Sequence, residues 1–463
     1  MERFDVIVVG AGTAGCTAAK TAAKAGLKVC LIDRKGKEEI GDKVCGDAIG
    51  KHHFDALGLD PPKGEELERR IEGIVFYSPD MKEFFHVKGP GVYGFIVNRR
   101  LFGQRLLGDA VNVGSTILDS IQALEPIVKD GCVIGVSARE MKTGRKIELH
   151  SKIVVEASGF SATLLKNLPP ELGINEKVRG EDVVVCYREI RKLKEEIAEP
   201  DFLEIYLNQK INPGGYCWIF PEGEKKVNVG LGVGMFNDFP NPKKQLYNFV
   251  LTKPLFEGSI LMDGGGGHVP TRRPLDCMTA NGIVIVGDAA CQANPIHGGG
   301  MGPSMIAGVH AGETIVEALG KGDVSQEALW PYNIKYMQSY GAKQAGLDVF
   351  RLFIQGLGDD ELNYAMKYRL MTEGDLLKAS MGGEFRLNIT EKAHRAFKGL
   401  RKLSLLMELR HAAKLLEKVK AWYINYPSSP KGFWEWKMGT QILFKEAEVR
   451  FEQKQRMVKA KIT

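Results

Sequence analysis

Four segments of this 463-residue chain carry residue types whose spacing suits one kind of ligand. The first is Gly10-Ala11-Gly12-Thr13-Ala14-Gly15, and the second is the single carboxylate Asp33. The third is Gly287-Asp288-Ala289-Ala290, and the fourth is Pro295-Ile296-His297-Gly298-Gly299-Gly300-Met301-Gly302. In the first, Gly10 allows a tight turn, Gly12 lets backbone approach a pyrophosphate, and Gly15 permits close helix–strand packing. A helix opening at Ala14 aims amide donors and its positive dipole end at phosphates. Asp33 follows at the distance usual for a carboxylate that hydrogen-bonds a ribose hydroxyl.

Asp288 follows an apolar run, where an open α/β sheet presents its ligand contacts. Its carboxylate suits the ribityl chain of a flavin. Gly298, Gly299, Gly300 and Gly302, with Met301 among them, open a further helix, expected over 303–319. Its N-terminus favours negative charge at the flavin pyrimidine and so stabilises the reduced, anionic ring. The four segments together predict an FAD site. A flavin transfers hydrides and electrons, so the expected class is a redox enzyme.

These residues need a scaffold. Phe4 to Val9 reads as a buried strand, Cys16 to Ala25 as a helix stopped by Gly26, and Leu27 to Ile32 as a second strand. That is one βαβ unit of a parallel sheet. Further strands are expected at 114–118, 133–139, 147–149, 153–156 and 282–286. Between about 170 and 275 the segments 183–187, 203–207, 216–220 and 227–233 alternate, which predicts an antiparallel sheet. From about 325 the pattern is helical and charged. The expected class is therefore α/β: a Rossmann-like FAD-binding domain, an inserted antiparallel-sheet substrate domain and a helical C-terminal region. The boundaries are 1–75, 95–165 and 275–325 for the first, 76–94 and 166–274 for the second, and 326–463 for the third.

Composition sets limits. Apolar content of 44%, charged content of 26% and a net charge of +6 are ordinary for a globular enzyme. No Lys/Arg-rich block predicts nucleic-acid binding. The eight cysteines form no C-x-x-C pair, so no metal site is expected. No apolar stretch reaches the ~18 residues that span a bilayer. With an apolar strand beginning at Phe4, no signal peptide is expected, and a cytoplasmic location follows.

The assembled motifs resemble the flavoprotein superfamily that contains para-hydroxybenzoate hydroxylase. Val97-Asn98-Arg99-Arg100-Leu101-Phe102 is similar to that superfamily's arginine-bearing helix start, and Arg99 matches its flavin-contacting arginine. Where the hydroxylases carry Asp-Gly, this chain has Ala157-Ser158-Gly159, which argues against a monooxygenase. Two more motifs, Lys43-Val44-Cys45-Gly46-Asp47 and Pro213-Gly214-Gly215-Tyr216-Cys217-Trp218-Ile219-Phe220-Pro221, resemble the geranylgeranyl reductases, above all the archaeal enzymes acting on digeranylgeranylglycerophospholipids. The P-x-x-Y-x-W-x-F-P pattern is matched at every fixed position. The resemblance covers residues 1–330 well and the rest loosely. Gly103 departs from it, since many relatives have Asp there. The resemblance implies FAD, a geranylgeranyl lipid substrate, and Cys45 near the isoalloxazine. Gly46, Ala48 and Ala123 complete the cofactor-contacting residues it implies.

In a strand, Tyr216, Trp218 and Phe220 project from one face and form an apolar wall suited to a polyprenyl chain, while Cys217 and Ile219 face the other way. The same stripe suits an ordinary sheet core. An isolated trisubstituted alkene has no carbonyl to polarise it. Protonation at its less substituted carbon gives a tertiary cation that a hydride can quench, and aromatic faces stabilise such a cation. Cys45, Tyr216 or water are the candidate proton donors. The electron donor is NAD(P)H or a ferredoxin-like carrier. Two other classes fit the flavin site alone: a flavin monooxygenase and a membrane-associated electron carrier.

Residues 401–423 form an amphipathic helix. Leu405, Leu406, Leu409, Ala413, Leu416 and Val419 recur at helical spacing, with Lys402, Arg410, Lys414 and Lys418 around them. Such a helix packs on a core or lies in a membrane interface, where Tyr423, Tyr426, Phe433, Trp434 and Trp436 would also suit peripheral contact with the inner face of the cell membrane.

Overall fold

The computed structural model describes residues 3–174, 176–236, 238–374, 377 and 400–459, with the side chains of 403–451 in the last span. Among these, three sheets build the scaffold. Strand Arg3–Val9 is central to the first sheet, with its apolar, β-branched residues buried. It runs parallel to Val29–Ile32 on one side and to the end of Lys146–Glu156 on the other. Thr116–Leu118 and Ile283–Ile285 extend the sheet in the same direction. Continuous apolar runs buried on both faces are the mark of a parallel sheet.

Residues 147–149 and 153–156 belong to one strand, Lys146–Glu156, which changes partners midway. Its first half pairs antiparallel with Cys132–Glu140 and its second half parallel with Arg3–Val9, and His150 belongs to both registers. The polar first half and the buried second half made it read as two.

The second sheet has seven strands, in the order Ile260–Pro270, Val183–Lys192, Lys226–Gly234, Cys217–Pro221, Phe202–Tyr206, Gly73–Tyr77, Phe84–Lys88. One pair, Phe202–Tyr206 with Gly73–Tyr77, is parallel, because the chain leaves for the first sheet and returns between them. Gly73–Tyr77 lies wholly in this sheet, so residues 73–75 sit with the inserted strands. The edge strand Ile260–Pro270 escapes sequence reading because Gly264–Gly267 has the lowest β propensity of any run here.

The third sheet, Ala48–Gly50, Gly94–Val97 and Leu67–Ile71, lies between the other two. Alternation does the work. Phe95 and Val97 join the core of the first sheet, while Ile96 packs with Trp218 and Phe220 of the second.

In the C-terminal region, helix Leu400–Ile424 packs against Ala342–Gln355. Leu405, Leu406, Leu409, Ala413, Leu416 and Val419 are buried, so this apolar face joins the core and does not meet a membrane. The side chain of Lys402 lies outside the described residues. Tyr423, Tyr426 and Trp436 are also buried, around Trp330 and Phe433. Trp434 differs from them in being 69% exposed.

Candidate active site

The first βα turn is built as its sequence demands. Gly10 has φ +105°, and a Cβ there would lie 2.4 Å from the Ala157 carbonyl oxygen. Helix Thr13–Lys24 starts earlier than its alanine-rich pattern suggested, with Gly12 as N-cap. A Cβ on Gly15 would overlap the Gly10 carbonyl, so helix and turn touch there. A Cβ on Gly12 would meet no chain atom within 4 Å. Asp33 Oδ2 accepts the Ala11 backbone N–H at 2.8 Å and Oδ1 accepts that of Lys35 at 2.9 Å, which fixes its carboxylate beside the turn. Ala123 is buried on strand Ile121–Lys129, whose first residue donates its N–H to the Asp33 carbonyl.

Arg99 is the first residue of helix Arg99–Asn112, which Asn98 caps by accepting the Leu101 N–H at 3.1 Å. The arginine is 9% exposed, and its Nε and Nη1 have no partner among the described residues. Buried donors without acceptors are costly unless a ligand supplies them. Gly103 packs so closely on Gly41 that a Cβ would fall 2.2 Å from its Cα, which explains why no aspartate fits there. The open side of Gly12, the fixed Asp33 and the orphaned Arg99 donors fit a dinucleotide with an acceptor-rich ring, as FAD has.

The later motifs converge on the same place. Gly287 lies against Ala14, with its Cβ position 3.1 Å from that of Ala14. Asp288 Oδ2 takes a 2.8 Å ion pair from Lys43, whose ammonium is held charged by that carboxylate. The other oxygen lies near Gly300, the N-cap of helix Met301–Gly320. Gly299 donates its N–H to His297 Nδ1 at 3.1 Å. Thus the loop Lys43–Asp47 closes over the Gly287–Ala290 turn, and Ala48 begins the strand that carries the chain away.

The same loop meets the aromatic stripe. A Cβ on Gly46 would lie 3.0 Å from the Phe220 ring and 3.8 Å from Trp218 Nε1. Tyr216, Trp218 and Phe220 share one face, with ring centroids 5.9 and 6.1 Å apart in succession, while Cys217 and Ile219 enter the core behind. Tyr216 donates its hydroxyl to the His297 carbonyl at 2.7 Å, which ties the stripe to the glycine loop. The stripe is therefore a buried cluster, and Gly46, the residue after Cys45, packs directly against it.

Several residues of this site were invisible in the sequence. Asn228 stands opposite Phe220 on the next strand. It accepts the Trp218 indole N–H at 2.9 Å and donates to the Cys45 carbonyl at 2.9 Å and to Asp47 Oδ2 at 3.0 Å. Gly230 stands opposite Trp218, then Arg188, then Gly265; Gly232 pairs with Cys186, and Cys186 with Gly267. Residues directly opposite share a face. So glycines pave the sheet beside the aromatic wall, and Trp218 leans into the room left at Gly230, where a Cβ would be 2.4 Å from its ring. The signal available was Gly230-x-Gly232-x-Gly234, since glycine inside a strand marks close approach.

Burial dominates the electrostatics. It pushes the Cys45 thiol up, and the neighbouring Asp47 adds to this. It also raises the Tyr216 phenol. Asp47 is 4% exposed, and its carboxyl is pushed up to about 7 by burial, with Arg188 opposing and Glu222 reinforcing the shift.

The family model described as "Geranylgeranyl reductase catalytic domain" matches residues 182–269, and one described as "Glucose inhibited division protein A" matches residues 5–164. The chain is 44% identical to the digeranylgeranylglycerophospholipid reductase of Sulfolobus acidocaldarius, over 94% of this chain and 96% of that protein. It is 33% identical to the enzyme of that name from Methanothrix thermoacetophila, over 88% and 99%. A crystal structure of a geranylgeranyl bacteriochlorophyll reductase-like protein from Thermoplasma acidophilum superposes with a TM-score of 0.74 at 25% identity, covering 90% of this chain and all of that one. A flavin-dependent brominase shares the fold at 15% identity, with a TM-score of 0.64 over 89% of this chain and all of that one. With its dinucleotide cradle, its aromatic wall and relatives matched over nearly their whole length, this chain belongs to the digeranylgeranylglycerophospholipid reductase family of FAD-dependent flavoproteins.

Proposed function

We propose that this chain saturates the isolated double bonds of geranylgeranyl chains carried on archaeal-type ether phospholipids. The observation that carries the reading is the meeting of Gly46 with Phe220 and Trp218, which sets an aromatic wall against the loop that closes on the dinucleotide turn. Bound FAD, once reduced, supplies the hydride. Gly10, Gly12, Ala14, Gly15 and Asp33 hold its pyrophosphate and ribose, Ala123 lies by the adenosine end, and Arg99 gives its free donors to the ring. Cys45, Gly46, Ala48, Asp288, Gly299, Gly300 and Met301 enclose the flavin. Tyr216, Trp218 and Phe220 grip the chain, exclude water and present π faces to a developing tertiary cation. The glycine-paved floor lets a flexible chain slide, so that successive bonds reach the same point. The deciding experiment is anaerobic incubation of dithionite-reduced enzyme with geranylgeranyl lipids, followed by mass spectrometry for successive two-hydrogen gains.

Reducing equivalents come from NAD(P)H or a ferredoxin-like carrier, and stopped-flow flavin bleaching with each discriminates them. The substrate's home suggests peripheral contact with a bilayer. No described helix is long and apolar enough to cross one. Helix Phe433–Lys459 exposes Trp434, Met438 and Ile442 at i, i+4 and i+8, and these residues suit an interface. Loss of vesicle co-sedimentation in Trp434→Ser would support this contact.

A further inference from the structure

The reduction needs a proton as well as a hydride for every bond, and this inference rests on the function proposed above. We propose that Asp47 is the acid that protonates the double bond. It follows Gly46, whose Cβ position lies 3.0 Å from the Phe220 ring and 3.8 Å from Trp218 Nε1, so its carboxyl sits beside the aromatic wall. Oδ2 is held by Asn228, which also holds the Trp218 indole and the Cys45 carbonyl. Oδ1 is buried and has no partner among the described residues. One oxygen is thus anchored and the other left to carry a proton. The residue is also held in the left-handed region, at φ +59°, with its carbonyl accepting the Val97 N–H at 3.0 Å.

The competing donors are weaker. The Cys45 thiol is raised by burial and by Asp47 itself, and it accepts the Asp47 backbone N–H. The Tyr216 hydroxyl is committed to the His297 carbonyl, and burial raises it further. An acid works best when its pKa is near the working pH, and burial lifts the Asp47 carboxyl to about 7. In the step, the Oδ1–H bond breaks and a C–H bond forms at the less substituted carbon. The hydride of the reduced flavin forms the second C–H bond at the tertiary centre. Alkene becomes alkane, the flavin is oxidised, and Asp47 is left as a carboxylate that takes a proton from solvent before the next bond. Asn228 and the Arg188 charge stabilise that carboxylate, and Glu222 opposes it.

The test uses the full-length holoenzyme. Asp47→Asn keeps the shape of the protonated acid and tolerates the left-handed backbone. It should retain FAD and its reduction by dithionite. Single-turnover reoxidation by a geranylgeranyl lipid should fall by ~10²–10⁴-fold, the usual worth of a general acid. Glu222→Gln serves as the second variant. Removing that anion lowers the Asp47 pKa, so the alkaline limb of the single-turnover rate should move to lower pH. The groups facing Asp47 are Arg188, Glu222, Arg99, Asn228 and Cys45, and only Glu222 is changed. Infrared titration of the wild type should show a protonated carboxyl band that disappears near neutral pH and is missing from Asp47→Asn. A wild-type rate in Asp47→Asn, an unmoved pH limb in Glu222→Gln, or no such band overturns the assignment. If the wild type itself is not reoxidised by the lipid, the proposed function fails, and the infrared titration still decides the state of Asp47.

Discussion

The Trp218 indole N–H donates to Asn228 Oδ1 at 2.9 Å, and Asn228 spends its own N–H groups on the loop of Cys45 and Asp47. One amide thus joins the aromatic stripe to the loop that, on the proposed function, covers the cofactor. Asn228→Ala leaves the indole N–H, the Cys45 carbonyl and Asp47 Oδ2 without this partner, at about 1–3 kcal/mol for each group that stays buried and unpaired. The expected result is a lower denaturant midpoint and a large loss of alkene reduction. An unchanged midpoint would mean the three bonds are not made in solution.

Trp218→Ala should harm alkene reduction far more than flavin binding, because the residue stands on the inserted sheet and the phosphate turn does not touch it. Lost chain contact and cation stabilisation amount to on the order of 1–3 kcal/mol. Turnover and bound FAD measured in the same preparation decide the matter. Parallel loss of both would remove the wall from the mechanism.

Purified protein should be yellow and release FAD, not FMN, on acid treatment. Asp33→Ala removes the acceptor of the Ala11 N–H and, on the proposed function, the ribose ligand with it. The flavin-to-protein ratio should fall while the circular dichroism spectrum holds. Chromatography that identifies the released flavin as FMN would refute the adenosine assignment.

The βαβ unit and its cradle were legible because their signals are local: buried β-branched runs, glycines at fixed offsets, a carboxylate at the end of the second strand. The aromatic stripe was legible for the same reason, since period two fixes which residues share a face. Asn228, Arg188, Gly230, Gly232, Gly265 and Gly267 were not. Their roles depend on register between residues up to 81 positions apart, which no local pattern encodes. Helix 401–423 teaches the converse lesson. Periodicity showed an apolar face, but only the packing of Ala342–Gln355 against it shows what covers that face.

Cys45→Ser should retain its fold, its FAD and most of its activity. The thiol is pushed up by burial and by Asp47, so it is a poor acid, and serine is nearly isosteric. Single-turnover oxidation of the reduced variant by geranylgeranyl lipid reads this out. A collapse of that rate would return the acid role to Cys45.

Asp47 should also mark the stability of the fold, independently of turnover. Its carboxyl titrates at about 7 when folded, against 3.8 as the ordinary value, with burial the main cause. Between those values the folded state keeps a proton that the unfolded state has released, so stability falls as pH rises through the window, and the loss is complete above pH ~7. Asn carries no titrating proton. The stability of Asp47→Asn relative to wild type should therefore rise from pH ~4 to pH ~7 and level off, gaining up to about 4 kcal/mol at about 1.4 kcal/mol per pKa unit. Denaturant unfolding of both proteins across that range measures it. A difference that stays flat with pH would mean the carboxyl is ionised in the fold, with Arg188 outweighing burial. A rising difference means the enzyme keeps, at a cost in stability, a buried proton beside the aromatic wall.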